Sequence, residues 1–155
     1  KMSVRLPSFI LSLLACAVLT VAAPATPSAV QAGNIVSAPT ALAATAKGDV
    51  TLVDVRSRQE WRQTGVATGA KMVTIHNRNG IKAFVAEMVK AVGGDKSRPV
   101  ALICAAGVRS ARAEKILIAA GFSNLQNVSE GMLGRPDAGP GWLKRGLPVT
   151  PCPEC

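Results

Sequence analysis

Tyrosine does not occur in this 155-residue sequence, and three phenylalanines, two tryptophans and one histidine are the only other ring side chains. With so few aromatics, and with its basic residues scattered, the chain offers no stacking platform for single strands, and nucleic acid is not an expected partner. The lone His76 has no partner motif around it and reads as a solvent-loop residue rather than a ligand or a base. No metal site and no cofactor are expected. Acidic residues are also scarce, nine against eighteen Lys and Arg, which gives a net charge of +9. Such a surface suits small anionic substrates.

Charge is missing altogether from Leu6 to Ala32, a stretch that follows Lys1 and Arg5 and contains "FILSLLACAVLTVAA". A basic start, an apolar centre and small residues after it form a secretory signal, with "VQA" before Gly33 as the cleavage pattern. The expected division is a signal peptide over 1–32, a domain over 33–148 and a tail over 149–155. The expected location is outside the cytoplasm, in the periplasm. A retained membrane anchor is the alternative, although Ser8 to Ala23 would span only about 24 Å as a helix against a bilayer core of roughly 30 Å. A lipoprotein box at "LLAC" is opposed by the apolar run continuing past Cys16 and by the bulk of Leu14.

The rest alternates between two periodicities. "NIVS" (34–37), "DVTLVDV" (49–55), "KMVTI" (71–75), "PVALI" (99–103) and "NLQNV" (124–128) predict strands. "PTALAATAKG" (39–48), "SRQEWRQTG" (57–65), "IKAFVAEMVKAVGG" (81–94) and "SARAEKILIAAG" (110–121) predict helices, each closed by glycine. In the third helix, Ile81, Phe84, Val85, Met88 and Val92 share one face. Trp142 and Leu143, in a Gly- and Pro-rich stretch, are expected to pack back on the body. The fold class is α/β: a mainly parallel five-stranded sheet flanked by helices on both faces. Sites in such sheets lie beyond the carboxyl ends of the strands. Asp54-Val55-Arg56 and Cys104 to Arg109 occupy those ends on the two most buried strands.

"CAAGVRSA" (104–111) carries the chemistry. Cysteine alone is as often a buried apolar residue as a functional one. Here it ends a buried strand, and a short loop with Gly107 leads straight into a helix. The helix start offers unpaired N–H groups and positive potential. Gly107 lets the loop curl so that more amides point inward, and Ala105 and Ala106 leave the mouth open. A thiolate is stabilised in such a cradle.

"CAAGVRS" resembles the active-site loop of rhodanese sulfurtransferases, usually Cys-Arg-x-Gly-x-Arg-Ser. "LVDVRSRQEW" resembles the Asp-Val-Arg segment of that family, "TGVATGA" its Gly-His-Ile-Pro-Gly-Ala stretch, and "AAGFSNLQNVSEGMLG" its Gly-Phe…Leu-x-Gly-Gly segment. "GW" and "KRGLP" are similar to the tails of exported single-domain members, and the likeness runs from Ile35 to Pro148. The resemblance implies a thiosulfate sulfurtransferase whose Cys104 takes a sulfane sulfur as a persulfide and passes it to cyanide or a thiol. The amides of Ala105, Ala106, Gly107, Val108, Arg109 and Ser110 would hold the anionic sulfur. Arg109 would orient the donor, Arg56 and Arg112 would add positive potential, and Asp54 would tie loops together. Ala105 departs from the usual arginine, which weakens the case for thiosulfate as the natural donor. Val66 and Thr68 replace the family's His and Pro.

Cysteine phosphatases and arsenate reductases have a related loop, but with five residues between Cys and Arg rather than the four of Ala105 to Val108. A binding or sensing module is the non-enzymatic alternative; the intact Cys, Gly and Arg oppose it. "CPEC" (152–155) reads either as a self-closed disulfide in an exposed tail or as a redox pair that accepts sulfur from Cys104. Glu60 and Glu114 read as helix-surface charges, and Trp61 and Trp142 as packing residues.

Overall fold

The computed structural model describes Met2 and residues 34–155; the signal segment expected over 1–32 lies outside the described residues, Met2 apart. The elements follow the alternation in the sequence: β1 (Asn34–Val36), α1 (Ala38–Lys47), β2 (Thr51–Asp54), α2 (Arg58–Thr64), β3 (Val66–Ala67), β4 (Lys71–Met72), α3 (Gly80–Ala91), β5 (Val100–Ile103), α4 (Val108–Ala119), β6 (Leu125–Val128) and β7 (Val149–Thr150). Five strands form one parallel sheet in the order β1-β6-β5-β2-β4, while β3 and β7 make a small antiparallel pair.

The central strands β2 and β5 are apolar on both faces because both faces are covered. Val53, Val55, Leu102 and Cys104 pack with Phe84, Met88 and Val92 of α3 and its end and with Ala113 and Leu117 of α4. Leu52, Ala101 and Ile103 face the other way, onto Ala38 and Ala41 of α1, Met132 and Trp142. Each fully buried Leu, Ile or Phe contributes about 1.5–3 kcal/mol of transfer free energy. Trp142 therefore returns to the body as expected, with its indole N–H donating to the Pro148 carbonyl at 2.9 Å.

Local signals set the helix starts. Ser57 and Glu60 cap α2 reciprocally: Glu60 N–H donates to Ser57 Oγ, and Ser57 N–H donates to Glu60 Oε2 at 3.0 Å. Ser37 caps α1 through the Thr40 amide.

Several boundaries differ from the sequence expectation. The strand predicted over 71–75 is laddered only at Lys71–Met72, because β4 is the sheet edge and has only β2 to pair with. Ile81 remains half exposed, since it sits in the first turn of α3, one turn before the seam that begins at Phe84. Helix α4 starts at Val108, two residues before the predicted Ser110, because Gly107 completes the loop at φ 82° as its N-cap. The first two residues of the expected tail, Val149 and Thr150, are a strand anchored on Val66–Ala67. No helix among the described residues is long and apolar enough to cross a membrane.

Candidate functional site

Cys104 lies one residue past β5, at the carboxyl end of the sheet, as a free thiol with 1% of its surface exposed. The loop that follows is held from outside by its carbonyls. Met132 N–H donates to the Cys104 carbonyl and Leu133 N–H to that of Ala105, both at 2.8 Å. Arg135 Nη1 reaches the Ala106 carbonyl at 3.4 Å. The Gly107 carbonyl receives Ser110 Oγ at 3.0 Å, Ala111 N–H at 3.1 Å and Asn127 Nδ2 at 3.4 Å. There are no cis peptides among the described residues, and in a trans peptide the C=O and the N–H point to opposite sides. Holding the carbonyls of Cys104, Ala105 and Ala106 from outside the loop therefore directs the amides that follow them to the other side, toward the loop interior. Consistently, none of the N–H groups from Ala105 to Ser110 donates to an acceptor among the described residues.

Two glycines make this packing feasible. A Cβ on Gly107 would stand 2.1 Å from the Ser129 carbonyl oxygen, and one on Gly131 2.5 Å from that of Ala105. Both have positive φ. The brace formed by Ser129 to Gly134 is itself fixed by Glu130, which is buried, accepts the Ala38 N–H at 2.9 Å and pairs with Arg145 at 3.2 Å. Inside the loop, Ser110 Oγ lies 3.3 Å from Cys104 Sγ, close enough to donate to the sulfur.

The arginines do not behave alike. Arg109 is brought to the mouth of the loop, but its two terminal nitrogens bind Glu60 at 2.7 and 2.6 Å, with His76 Nε2 3.5 Å from Nη1. That hydrogen bond is the main reason why the Glu60 carboxyl is held down at about 2, with the Ser57 cap adding to it against the opposing effect of burial. Glu60 in turn pushes the Arg109 guanidinium up, against the opposing effect of burial. Arg135 is raised chiefly by its hydrogen bond to Asp137.

Arg56 is a correction to the sequence reading. It is 1% exposed; Nε and Nη2 clamp Asp54 at 2.7–3.0 Å, Nη1 donates to Thr64 Oγ1 and Nη2 to the Gly65 carbonyl. Nε, Nη1 and Nη2 are thus each bonded inside the body, and the side chain is not presented at the surface. Asp54 also accepts the Arg56 N–H, so its side-chain bonds all go to Arg56; it is Arg56 that links this segment to Thr64 and Gly65. Arg112 is not in the loop interior either; it lines a cleft of about 830 Å³ outside Gly107 and Val108. On the other flank a cleft of about 590 Å³ is lined by Ser57, Arg58 and His76.

Glu60 and Glu114 are not ordinary surface charges. Glu60 is the partner of Arg109. Glu114 is buried on α4, where burial pushes its carboxyl up. The brace residues Asn127, Met132, Leu133 and Arg135 also escaped the sequence reading; the one signal for them was the family-like glycine segment at 131–134.

Known proteins agree with this architecture. Residues 37–134 match the family described as a rhodanese-like domain. An uncharacterized protein of Rickettsia conorii, RC0915, is 29% identical over 105 residues, covering 63% of this chain and 80% of its own. The solution structure of the 30 kDa polysulfide-sulfur transferase homodimer from Wolinella succinogenes is 28% identical with a TM-score of 0.57, over 76% of this chain and 78% of that one. The crystal structure of Rv0390 from M. tuberculosis is also 28% identical, with a TM-score of 0.62 over 78% and 98%. A parallel α/β sheet with a cysteine at the rim of its central strand, and a family match across most of the described residues, lead to one assignment: the chain belongs to the rhodanese-like family.

Proposed function

We propose that the protein is a sulfurtransferase that carries sulfane sulfur on Cys104. The observation that bears the most weight is the loop in which three carbonyls are held from outside while six consecutive amides have no acceptor among the described residues. Preorganised donors of this kind stabilise an anion and its transition state without having to reorganise. In the loading step, the Cys104 thiolate attacks the outer sulfur of thiosulfate; an S–S bond forms, the donor's S–S bond breaks and sulfite leaves with the electron pair. Cys104 then holds the sulfur as a persulfide anion, which the amides and Ser110 Oγ steady. Attack by cyanide or a thiolate on the outer sulfur returns Cys104 to its starting form.

The donor is a small anion, in keeping with the basic surface, and the acceptor is a small thiophile or a protein thiol. Because Arg109 is committed to Glu60, the loop amides are the principal partners of the incoming anion. A persulfide donor is therefore as well suited as thiosulfate. The charged start and apolar run at 1–32 support work outside the cytoplasm, and the mass of the mature chain from an expressing cell tests this.

Phosphatase chemistry is disfavoured by the four-residue spacing between Cys104 and Arg109, one short of the cradle that wraps a phosphoryl group. Mass spectrometry after mixing with thiosulfate tests the proposal. An adduct of about 32 Da, one sulfur, is expected on the Cys104 peptide; it disappears on adding cyanide and never forms in Cys104→Ser. Labelling of Cys104 by an alkylating reagent only after denaturation, with no adduct, overturns the reading.

A further inference from the structure

The C-terminal disulfide is the reactive group that sulfur transfer through Cys104 leaves without a task. Cys152 and Cys155 are bonded to each other, and both are partly exposed. β7 delivers them to the flank of α2, where Arg58 Nη1 donates to the Cys155 backbone oxygen at 3.1 Å. Their sulfurs rest on Met72, with Sγ 3.9 Å (Cys152) and 3.1 Å (Cys155) from its Sδ. Met72 is in register with Asp54, and Asp54 with Ile103, the residue before Cys104. Two strand spacings of about 4.8 Å put Met72 and Ile103 about 10 Å apart. The three cysteines thus lie at the same end of the sheet, Cys104 on the face packed by α3 and α4 and the tail pair with Met72 toward the opposite face, so transfer requires the tail to swing over the sheet rim. Between them lies the first turn of α2, whose Arg58 holds the tail and whose Glu60 holds Arg109.

We infer that the Cys152–Cys155 pair, in its dithiol form, removes the sulfane sulfur from Cys104 and releases it as sulfide. The inference rests on the Cys104 persulfide proposed above. One tail thiolate attacks the outer sulfur of the persulfide, forming a tail persulfide and expelling the Cys104 thiolate. The second tail thiolate then attacks the inner sulfur of that tail persulfide. The Cys152–Cys155 bond forms, and the outer sulfur leaves as hydrosulfide. The sulfane sulfur gains two electrons, the dithiol loses two, and its two protons end on the sulfide and in solvent. The bonded pair in the structure is the product of this half-cycle, and an external dithiol reduces it for the next.

The tail is lightly held. Residues 151–155 follow the β7 anchor, and five residues extend up to about 17 Å. Beyond Thr150, the hydrogen bonds of the tail's backbone are the Arg58 contact and the Cys155 N–H to Cys152 carbonyl turn.

The test is a single turnover. Full-length protein is reduced with a dithiol, desalted and given one equivalent of thiosulfate without free thiol. Sulfite, sulfide and the state of each cysteine are then followed. Sulfite is expected first, and then sulfide, with Cys152 and Cys155 ending as a disulfide and Cys104 unmodified. In Cys152→Ser/Cys155→Ser, sulfite still appears, the adduct of about 32 Da stays on Cys104, and sulfide release falls by about tenfold or more. Of the two single variants, one strands the adduct on the tail peptide and the other on Cys104, which identifies the attacking thiol. Wild-type protein that keeps its adduct on Cys104 while both tail thiols stay reduced overturns this inference and leaves the persulfide reading standing. Absence of sulfite and adduct, with polysulfide as well as thiosulfate, removes the persulfide reading and this inference with it.

Discussion

Replacing Glu60 with Gln isolates one charge at the mouth of the loop. Glutamine is nearly isosteric and is itself accepted in a capping box, so the Ser57 cap on α2 largely survives. What is lost is the negative partner of Arg109, bound through two hydrogen bonds at 2.6 and 2.7 Å. The carboxyl is lowered from 4.5 to about 2 in the folded protein, and at 1.36 kcal/mol per unit this sets a ceiling of about 3 kcal/mol. Both side chains keep 26% of their surface in water, and screening at such sites reduces the expected loss to about 1–2 kcal/mol.

The pH dependence has a definite sign. A carboxyl whose folded value is depressed stabilises the fold fully above its unfolded value, here 4.5, and loses that contribution as pH falls toward about 2. Urea unfolding of wild type and Glu60→Gln is the assay, read as a difference so that acid effects common to both proteins cancel. The gap is expected to be widest at neutral pH and to close between pH 4.5 and 2. Coincident unfolding midpoints at neutral pH, or a gap that does not change across that window, would refute the assigned pairing.

Three further outcomes test the loop and its supports. Gly107→Ala places a Cβ 2.1 Å from the Ser129 oxygen at a positive φ; a loss of about 2 kcal/mol or more in chemical denaturation is expected, together with failure to load sulfur. Asp54→Ala strands the buried Arg56 guanidinium, which costs about 3–5 kcal/mol and lowers the thermal midpoint accordingly. Ser110→Ala removes the hydroxyl 3.3 Å from the Cys104 sulfur. The loading rate should fall about tenfold or more by stopped-flow, while stability changes by less than about 1.5 kcal/mol.

How much of this was legible in the sequence varies with the range of the interaction. "PVALI" and "DVTLVDV" announce buried parallel strands because apolar residues on both faces suit no other common environment. The Cys104 loop is legible for the same local reason: strand end, glycine and helix start are contiguous, and Gly107 alone explains why the chain can turn there. Arg56 was misread because its neighbours in sequence say nothing of the Thr64 and Gly65 oxygens that consume its donors. Glu60 was dismissed as a surface charge because its partner Arg109 lies 49 residues away.

Composition and periodicity by themselves therefore determined the alternating α/β architecture, the position of Cys104 at a strand end, and the pairing of the two C-terminal cysteines as one option. Only the tertiary structure decided which way the loop amides face. The carbonyls of residues 104 to 106 are held from outside by Met132, Leu133 and Arg135, whereas that of Gly107 is shared between Asn127 and the local Ser110 and Ala111. A trans peptide cannot turn its carbonyl outward without turning its N–H inward, and no local run of residues encodes which distant donor will do the pulling.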